Sequence, residues 1–157
     1  MQTFLPDPDF DTTARFLDSR RLGKQRVEAL QILRALTRDK YGWKAHPAVL
    51  MWAGYEEALV AYALAMCAEW RRRGYPDTVA ATIVADFRSA CRTDQVRAQA
   101  VLRSAHEVPP WLCEERLHES HRSALVGKDP SYYRPLFPGV PDDLPHVWPV
   151  RSRRGDG

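Results

Sequence analysis

The chain has 157 residues and a mass of 18.0 kDa, the length of one ordinary domain, and its 45% hydrophobic and 27% charged residues exclude global disorder. A net charge of +3 excludes any argument about partners from total charge, and three cysteines (Cys67, Cys91, Cys113) without a CxxC pair argue against a disulfide framework or a thiolate zinc site. Acids at Asp7, Asp9 and Asp11 do not fit a signal peptide, and Glu56 and Glu57 interrupt the most apolar window, Trp52 to Ala68. The expectation is therefore a cytoplasmic protein with no membrane association.

Residues 1–12 carry two prolines and read as an extended arm. From about Thr13 to Thr37 helix formers dominate, with Leu22, Ala29, Leu33 and Leu36 at helical spacing, and the pattern predicts one long helix. Tyr41-Gly42-Trp43 reads as a loop. Pro47 suits the first turn of a second helix, which runs to Arg71-Arg72-Arg73 and stops at Gly74. Its middle is apolar almost all round, as in a central buried helix. A third helical stretch spans about Asp77 to Leu102 with a break near Cys91, and Pro109-Pro110 separates it from a last helix over Trp111 to Gly127. Beyond Asp129-Pro130 an irregular proline- and aromatic-rich tail is expected to wrap the helices through Tyr132, Tyr133, Phe137 and Trp148. No stretch alternates with period two, so the fold class is all-α: a compact single-domain helical bundle over residues 1–150, with residues 151–157 a flexible C-terminal end.

The charge is unevenly spread. Between Arg15 and Lys44 nine basic residues face three acids, a local excess of six within thirty residues. At 100° per residue Arg21, Lys24, Glu28 and Gln31 share one face of the first helix, opposite the leucines, with Arg20 and Gln25 flanking it. One reading is a solvated face with a Lys24–Glu28 pair. The other is a carboxylate set in a phosphate-binding field, where a lone acid would repel DNA unless it served to stabilise positive charge or move a proton.

A second group is Glu114, His118 and His121, at i, i+4 and i+7 on the last helix. It could be read as three metal ligands, as packed or surface histidines, or, with Ser120, Arg122 and Lys128, as phosphate and base contacts. The expectation is no metal and no other cofactor. His46, held extended before Pro47, could aim a donor at an anion.

The runs LDSRRLGKQRVEALQIL, HPAVLMWAGYEEAL, EWRRRGY, PPWL and LHESHRSALVGKDPSYYRPLF resemble, in order and spacing, the pyrimidine-dimer DNA glycosylases of the endonuclease V-like family, over about residues 1–138. The resemblance implies a compact all-α enzyme with a catalytic glutamate on its long first helix, here Glu28. It implies cleavage of the glycosidic bond of a damaged pyrimidine, with an N-terminal amine forming an imine at C1′ before β-elimination. Phage-type members carry a small Thr after the initiator Met, whereas Gln2 follows Met1 here, so the amine is that of Met1 or the imine step is absent. Val27 and Gln31 stand where those members have arginines.

The expected site is thus Glu28, His121 and Met1 for the chemistry, with Arg20, Arg21, Lys24, Gln25, Arg26, His46, His118, Ser120, Arg122 and Lys128 holding a damaged DNA duplex, in a protein that acts as a monomer. Two other readings stay open: an N-glycosidase on a modified base or free nucleoside, and a non-catalytic nucleic-acid-binding protein. An N-terminal amine can react only if the arm folds back beside Glu28, so Met1 to Pro6 is expected near Glu28 and the helix that bears His121.

Overall fold

Two long helices, α2 (Ser19–Thr37) and α4 (Glu56–Arg72), pack against each other at the centre of the molecule, with α1 (Phe10–Phe16) and α5 (Val79–Cys91) also packed on α4. The structure is a computed structural model that describes residues 1–93 and 95–149; the end expected at 151–157 lies outside the described residues. Its remaining helices are α3 (Pro47–Leu50), α6 (Gln99–Ser104), α7 (Glu115–Lys128) and the single turn α8 (Pro130–Tyr133), with a 3-10 turn at Pro110–Cys113. Among the described residues there is no strand, and the all-α class holds. No helix among them is long and apolar enough to cross a membrane.

The apolar middle of α4 makes it the central buried helix. Ala58, Leu59, Val60, Tyr62, Ala63, Met66 and Cys67 are all buried there. Each large side chain withdrawn from water contributes about 1.5–3 kcal/mol. Gly23 lets α2 approach: a Cβ at that position would lie 2.9 Å from the Trp70 indole near the end of α4. Gly74, with φ +93°, ends this segment in the left-handed conformation that glycine adopts without strain.

The helix expected over Thr13 to Thr37 is instead two helices, broken at Leu17-Asp18. Asp18 is extended (φ −62°, ψ 156°), and its carboxylate accepts from Arg21 N at the start of α2. It is also bonded by the Tyr133 hydroxyl, and its own N–H donates to that oxygen. Burial raises the Asp18 pKa, but the bonds from Tyr133 and Arg21 outweigh it and hold the carboxyl below its ordinary range. At the C-cap of α4, Arg73 donates to Ala14 O at 3.2 Å, Leu17 O at 2.7 Å and Ser19 Oγ at 3.2 Å. The carbonyls freed where α1 stops thus have a charged partner, and the break costs little.

The helix expected from Pro47 is likewise divided. After α3 the chain turns through Gly54 (φ +87°) before α4 begins at Glu56. The third stretch breaks after Cys91, where Arg92 takes a left-handed conformation (φ +51°). The tail docks through buried Tyr133 and Phe137 and partly buried Trp148, whereas Tyr132 is exposed. Its backbone is tied to α7: Leu144 N donates to Ser123 Oγ at 3.0 Å and Val147 N to Ser120 Oγ at 3.2 Å.

Candidate active site

The extended arm folds into the bundle beside α2 and α7. Thr3, Phe4, Leu5 and Pro6 are buried. Trp52 Nε1 donates to Thr3 Oγ1 at 3.1 Å, Leu5 N donates to His121 Nδ1 at 2.9 Å, and Arg122 donates to Pro6 O at 2.8 Å. Anchored in this way, the arm brings Gln2 N to 3.2 Å from Glu28 Oε2.

Gln25, one turn before Glu28, joins core to site. Its Oε1 accepts from Phe4 N at 2.8 Å, and the Tyr62 hydroxyl lies 2.8 Å from both that oxygen and Phe4 O. Those donors fix the amide orientation, so Gln25 Nε2 donates to Glu28 Oε2 at 3.1 Å. Burial, reinforced by the Glu28 charge, raises the Tyr62 pKa well above its ordinary value, so the phenol stays a neutral donor. Glu28 Oε1 lies 3.8 Å from Lys24 Nζ. The Glu28 side chain is 13% exposed and Lys24 is 73% exposed, so the carboxylate is held while the ammonium is free to swing.

A cleft of about 450 Å³ opens over Glu28. Met1, Gln2, Phe4, Gln25 and Glu28 line it, together with Ala124 of α7 and His146 of the tail. Arg20, Arg21, Lys24 and Lys128 line it as well, four cations around one carboxylate. Arg21 is committed to Asp18 at 3.2 Å, whereas Arg20 and Lys128 are exposed and form no ion pair among the described residues.

The other expected site residues lie elsewhere. Arg26 is mostly buried, paired with Asp77 and lying 4.4 Å from the Trp70 ring centroid, on a different side of α2 from Glu28. His46 caps α3, its Nδ1 accepting from Ala48 N at 3.0 Å. His118 is buried with Nδ1 2.7 Å from Leu5 O and Nε2 2.8 Å from Leu112 O, and Ser120 donates to Leu117 O. Arg122 is held by Pro6 O and by Glu115. None of them lines the cleft: His118, Ser120 and Arg122 secure the arm and tail, whereas Arg26 ties α2 to the segment before α5 and His46 starts α3. Among the described residues no cluster of three or more His, Cys, Asp or Glu is arranged to hold a metal ion.

His121 lies just behind the cleft. It is fully buried, and with Nδ1 accepting from Leu5 N its proton resides on Nε2, which has no hydrogen-bond partner among the described residues. Burial, with His146 and His118 adding to it, pushes its pKa down to about 3, so the ring is neutral at ordinary pH. The ring stacks on that of His146, 5.0 Å between centroids and 12° between planes.

Sequence reasoning missed His146 and gave Gln2 no positive role. Neither carries a local signal: His146 sits in an irregular tail, and its proximity to Gln2 spans 144 residues.

Residues 1–82 match the family model described as pyrimidine dimer DNA glycosylase, which is more than half of the chain and runs from the arm into α5. No curated protein and no solved structure matches the chain.

Proposed function

The chain belongs to the pyrimidine dimer DNA glycosylase family, and on that premise we propose that it is a DNA-repair N-glycosylase that releases a damaged pyrimidine from duplex DNA, acting as a monomer without metal or organic cofactor. The observation that carries the reading is Glu28: a largely buried carboxylate, oriented by Gln25 Nε2 and Gln2 N, in a cleft otherwise ringed by cations.

Arg20, Arg21, Lys24 and Lys128 would hold phosphates on either side of the lesion. The damaged nucleotide is turned out of the stack into the cleft at a cost of a few kcal/mol, smallest for a base already poorly paired. As the C1′–N bond lengthens, its electron pair leaves with the base and positive charge builds on the sugar. The Glu28 carboxylate stabilises that charge and accepts the proton of the attacking group.

For the attacking group we propose the amine of Met1, which lines the cleft. While Met1 is attached, the Gln2 nitrogen is an amide, a donor to Glu28 and no nucleophile. A chain trimmed of Met1 would carry its free amine at that same nitrogen, 3.2 Å from Glu28 Oε2. Either amine would displace the base at C1′ with loss of a proton, opening of the C1′–O4′ bond with a proton passing to O4′ would then give the imine, and strand cleavage by β-elimination would follow.

The experiment is single-turnover glycosidic-bond cleavage on a panel of damaged duplexes, a cyclobutane thymine dimer first, read as strand breaks after hot alkali because a cut dimer base stays tethered to its neighbour, with parallel reactions in borohydride and the adduct located by mass spectrometry. Base release with an adduct at the N-terminal residue supports both steps. Base release without an adduct leaves the glycosylase and removes the imine. No release from duplex, with turnover of free nucleosides, overturns the reading in favour of a nucleosidase.

A further inference from the structure

We propose that His146, carried into the cleft by the C-terminal tail, is a further catalytic residue that donates a hydrogen bond from Nδ1 to the O2 carbonyl of the departing pyrimidine. The inference rests on the glycosylase reading and extends it to a residue outside the family-matched span of 1–82.

The tail is held so that this ring has one place to go. Leu144 N and Val147 N are bonded to Ser123 Oγ and Ser120 Oγ on either side of it. The ring stacks on His121 and meets the Trp148 indole 4.5 Å away at 60°. His146 is therefore positioned by packing on both of its sequence flanks, and it lines the same cleft as Glu28.

Its tautomer follows from the bonds that reach it. Thr3 N can only donate, and it donates to Gln2 Oε1 at 2.9 Å. The Gln2 amide nitrogen is then the atom 2.9 Å from His146 Nε2. An amide nitrogen donates, so Nε2 is the acceptor and the neutral ring carries its proton on Nδ1. Nδ1 has no hydrogen-bond partner among the described residues. Burial lowers the His146 pKa, which keeps the ring neutral at ordinary pH. The charged and titratable groups that line the cleft with it are Arg20, Arg21, Lys24 and Glu28 from α2, Lys128 from α7 and the arm at Met1, and His121 of α7 stacks on it.

This is the chemistry a leaving pyrimidine needs. When C1′–N1 breaks, both electrons go to N1 and spread onto O2, the oxygen of the adjacent C2 carbonyl. A neutral N–H aimed there strengthens its bond as the charge grows, and the proton stays on Nδ1 while the base leaves as an anion that water protonates. The three donors, Thr3 N–H, Gln2 Nε2–H and His146 Nδ1–H, point the same way along the chain, so each polarises the next. Gln2, bulky where related enzymes carry Thr, acquires a role as the positioning residue that sets the tautomer.

The test uses His146→Phe, which keeps a ring to stack on His121 and loses the donor, and His146→Asn, which keeps a side-chain N–H near the Nδ1 position. Single-turnover base release is measured on the panel duplex that the wild type processes fastest, and affinity is measured on a duplex bearing a tetrahydrofuran abasic analogue, which has no base to lose. The expected result is a loss of about a hundredfold in base release for His146→Phe, recovery of at least tenfold for His146→Asn, and abasic-duplex affinity within about twofold of wild type for both. Undiminished release by His146→Phe overturns the proposal. So does a parallel loss of release and abasic affinity in both variants, which marks a structural role. If His146→Phe does not fold, wild-type release by His146→Ala in the folded state overturns it equally. A wild type that releases no base from any duplex removes the glycosylase reading itself, and the proposal with it.

Discussion

Gln25 Nε2 donates to Glu28 Oε2 across one turn of α2, 3.1 Å apart, while the other end of the same amide is bonded to Phe4 N and lies 2.8 Å from the Tyr62 hydroxyl. Gln25 is 2% exposed and Glu28 opens onto the cleft, so the orientation of the carboxylate is set from inside the core.

Replacing Glu28 by Gln keeps the shape and the acceptor oxygen for Gln2 N but removes the charge. Base release should fall at least a hundredfold. Duplex affinity should hold or rise, since one negative charge leaves a cationic cleft, and the thermal midpoint should stay near wild type. Retained turnover in a folded Glu28→Gln protein would remove Glu28 from the mechanism.

Gln25→Leu has nearly the same volume and none of the bonds. It strands Phe4 N and loosens the arm, so stability should drop by about 1–3 kcal/mol in denaturant melts. Base release should fall as well, because Glu28 loses its donor. A variant with reduced stability and wild-type turnover would show that the carboxylate needs no orientation from the core.

The cations divide into two classes that one pair of measurements separates. Arg20→Ala and Lys128→Ala should each reduce the slope of log affinity against log salt by about one contact and leave stability almost unchanged. Arg26→Ala should leave the slope alone and cost roughly 3–5 kcal/mol, because Asp77, with a side chain 0% exposed, would be buried without its partner. Reversal of that pattern would put Arg26 on the DNA.

His121 makes the fold acid-sensitive. Its pKa is about 6.5 in the unfolded chain and is depressed to about 3 in the folded one. Between those values the unfolded state binds the extra proton, so this contribution to stability is intact above about pH 6.5 and is lost as pH falls toward 3. The slope from this group approaches about 1.4 kcal/mol per pH unit. His146, lowered in the same direction, adds to it, whereas the ion-paired carboxylates Asp18, Asp77, Glu57 and Glu69 are held low and act only at more acid pH. His121→Phe should flatten the melting-temperature profile between pH 6.5 and 4.5. An unchanged profile there would assign the acid sensitivity to other groups.

The face of α2 that carries Lys24 and Glu28 was legible because helical periodicity is a local property: residues three and four apart share a side whatever the rest of the chain does. The break at Leu17-Asp18 had a local sign, since Asp18-Ser19 is a helix-start pair. Continuous helix formers masked it, and what makes the break tolerable is Arg73, 56 residues from Leu17, and Tyr133, 115 residues from Asp18. Arg21, Lys24 and Arg26 look alike in a list of cations, but helical spacing puts Arg26 about 200° from Glu28, and packing against Trp70 and Asp77 commits it there.

By itself the sequence determined the all-helical class, the apolar identity of α4, and the carboxylate within a basic helix face, because side-chain spacing along one helix decides each of these. Tertiary structure alone decided that the arm lies against α2 and α7, that Gln2 N meets Glu28, and that His146 enters the cleft from the far end of the chain. Those contacts join residues 26 to 144 positions apart, and they form because the buried arm and the tail each satisfy backbone donors on core side chains: His121, Gln25, Ser120 and Ser123.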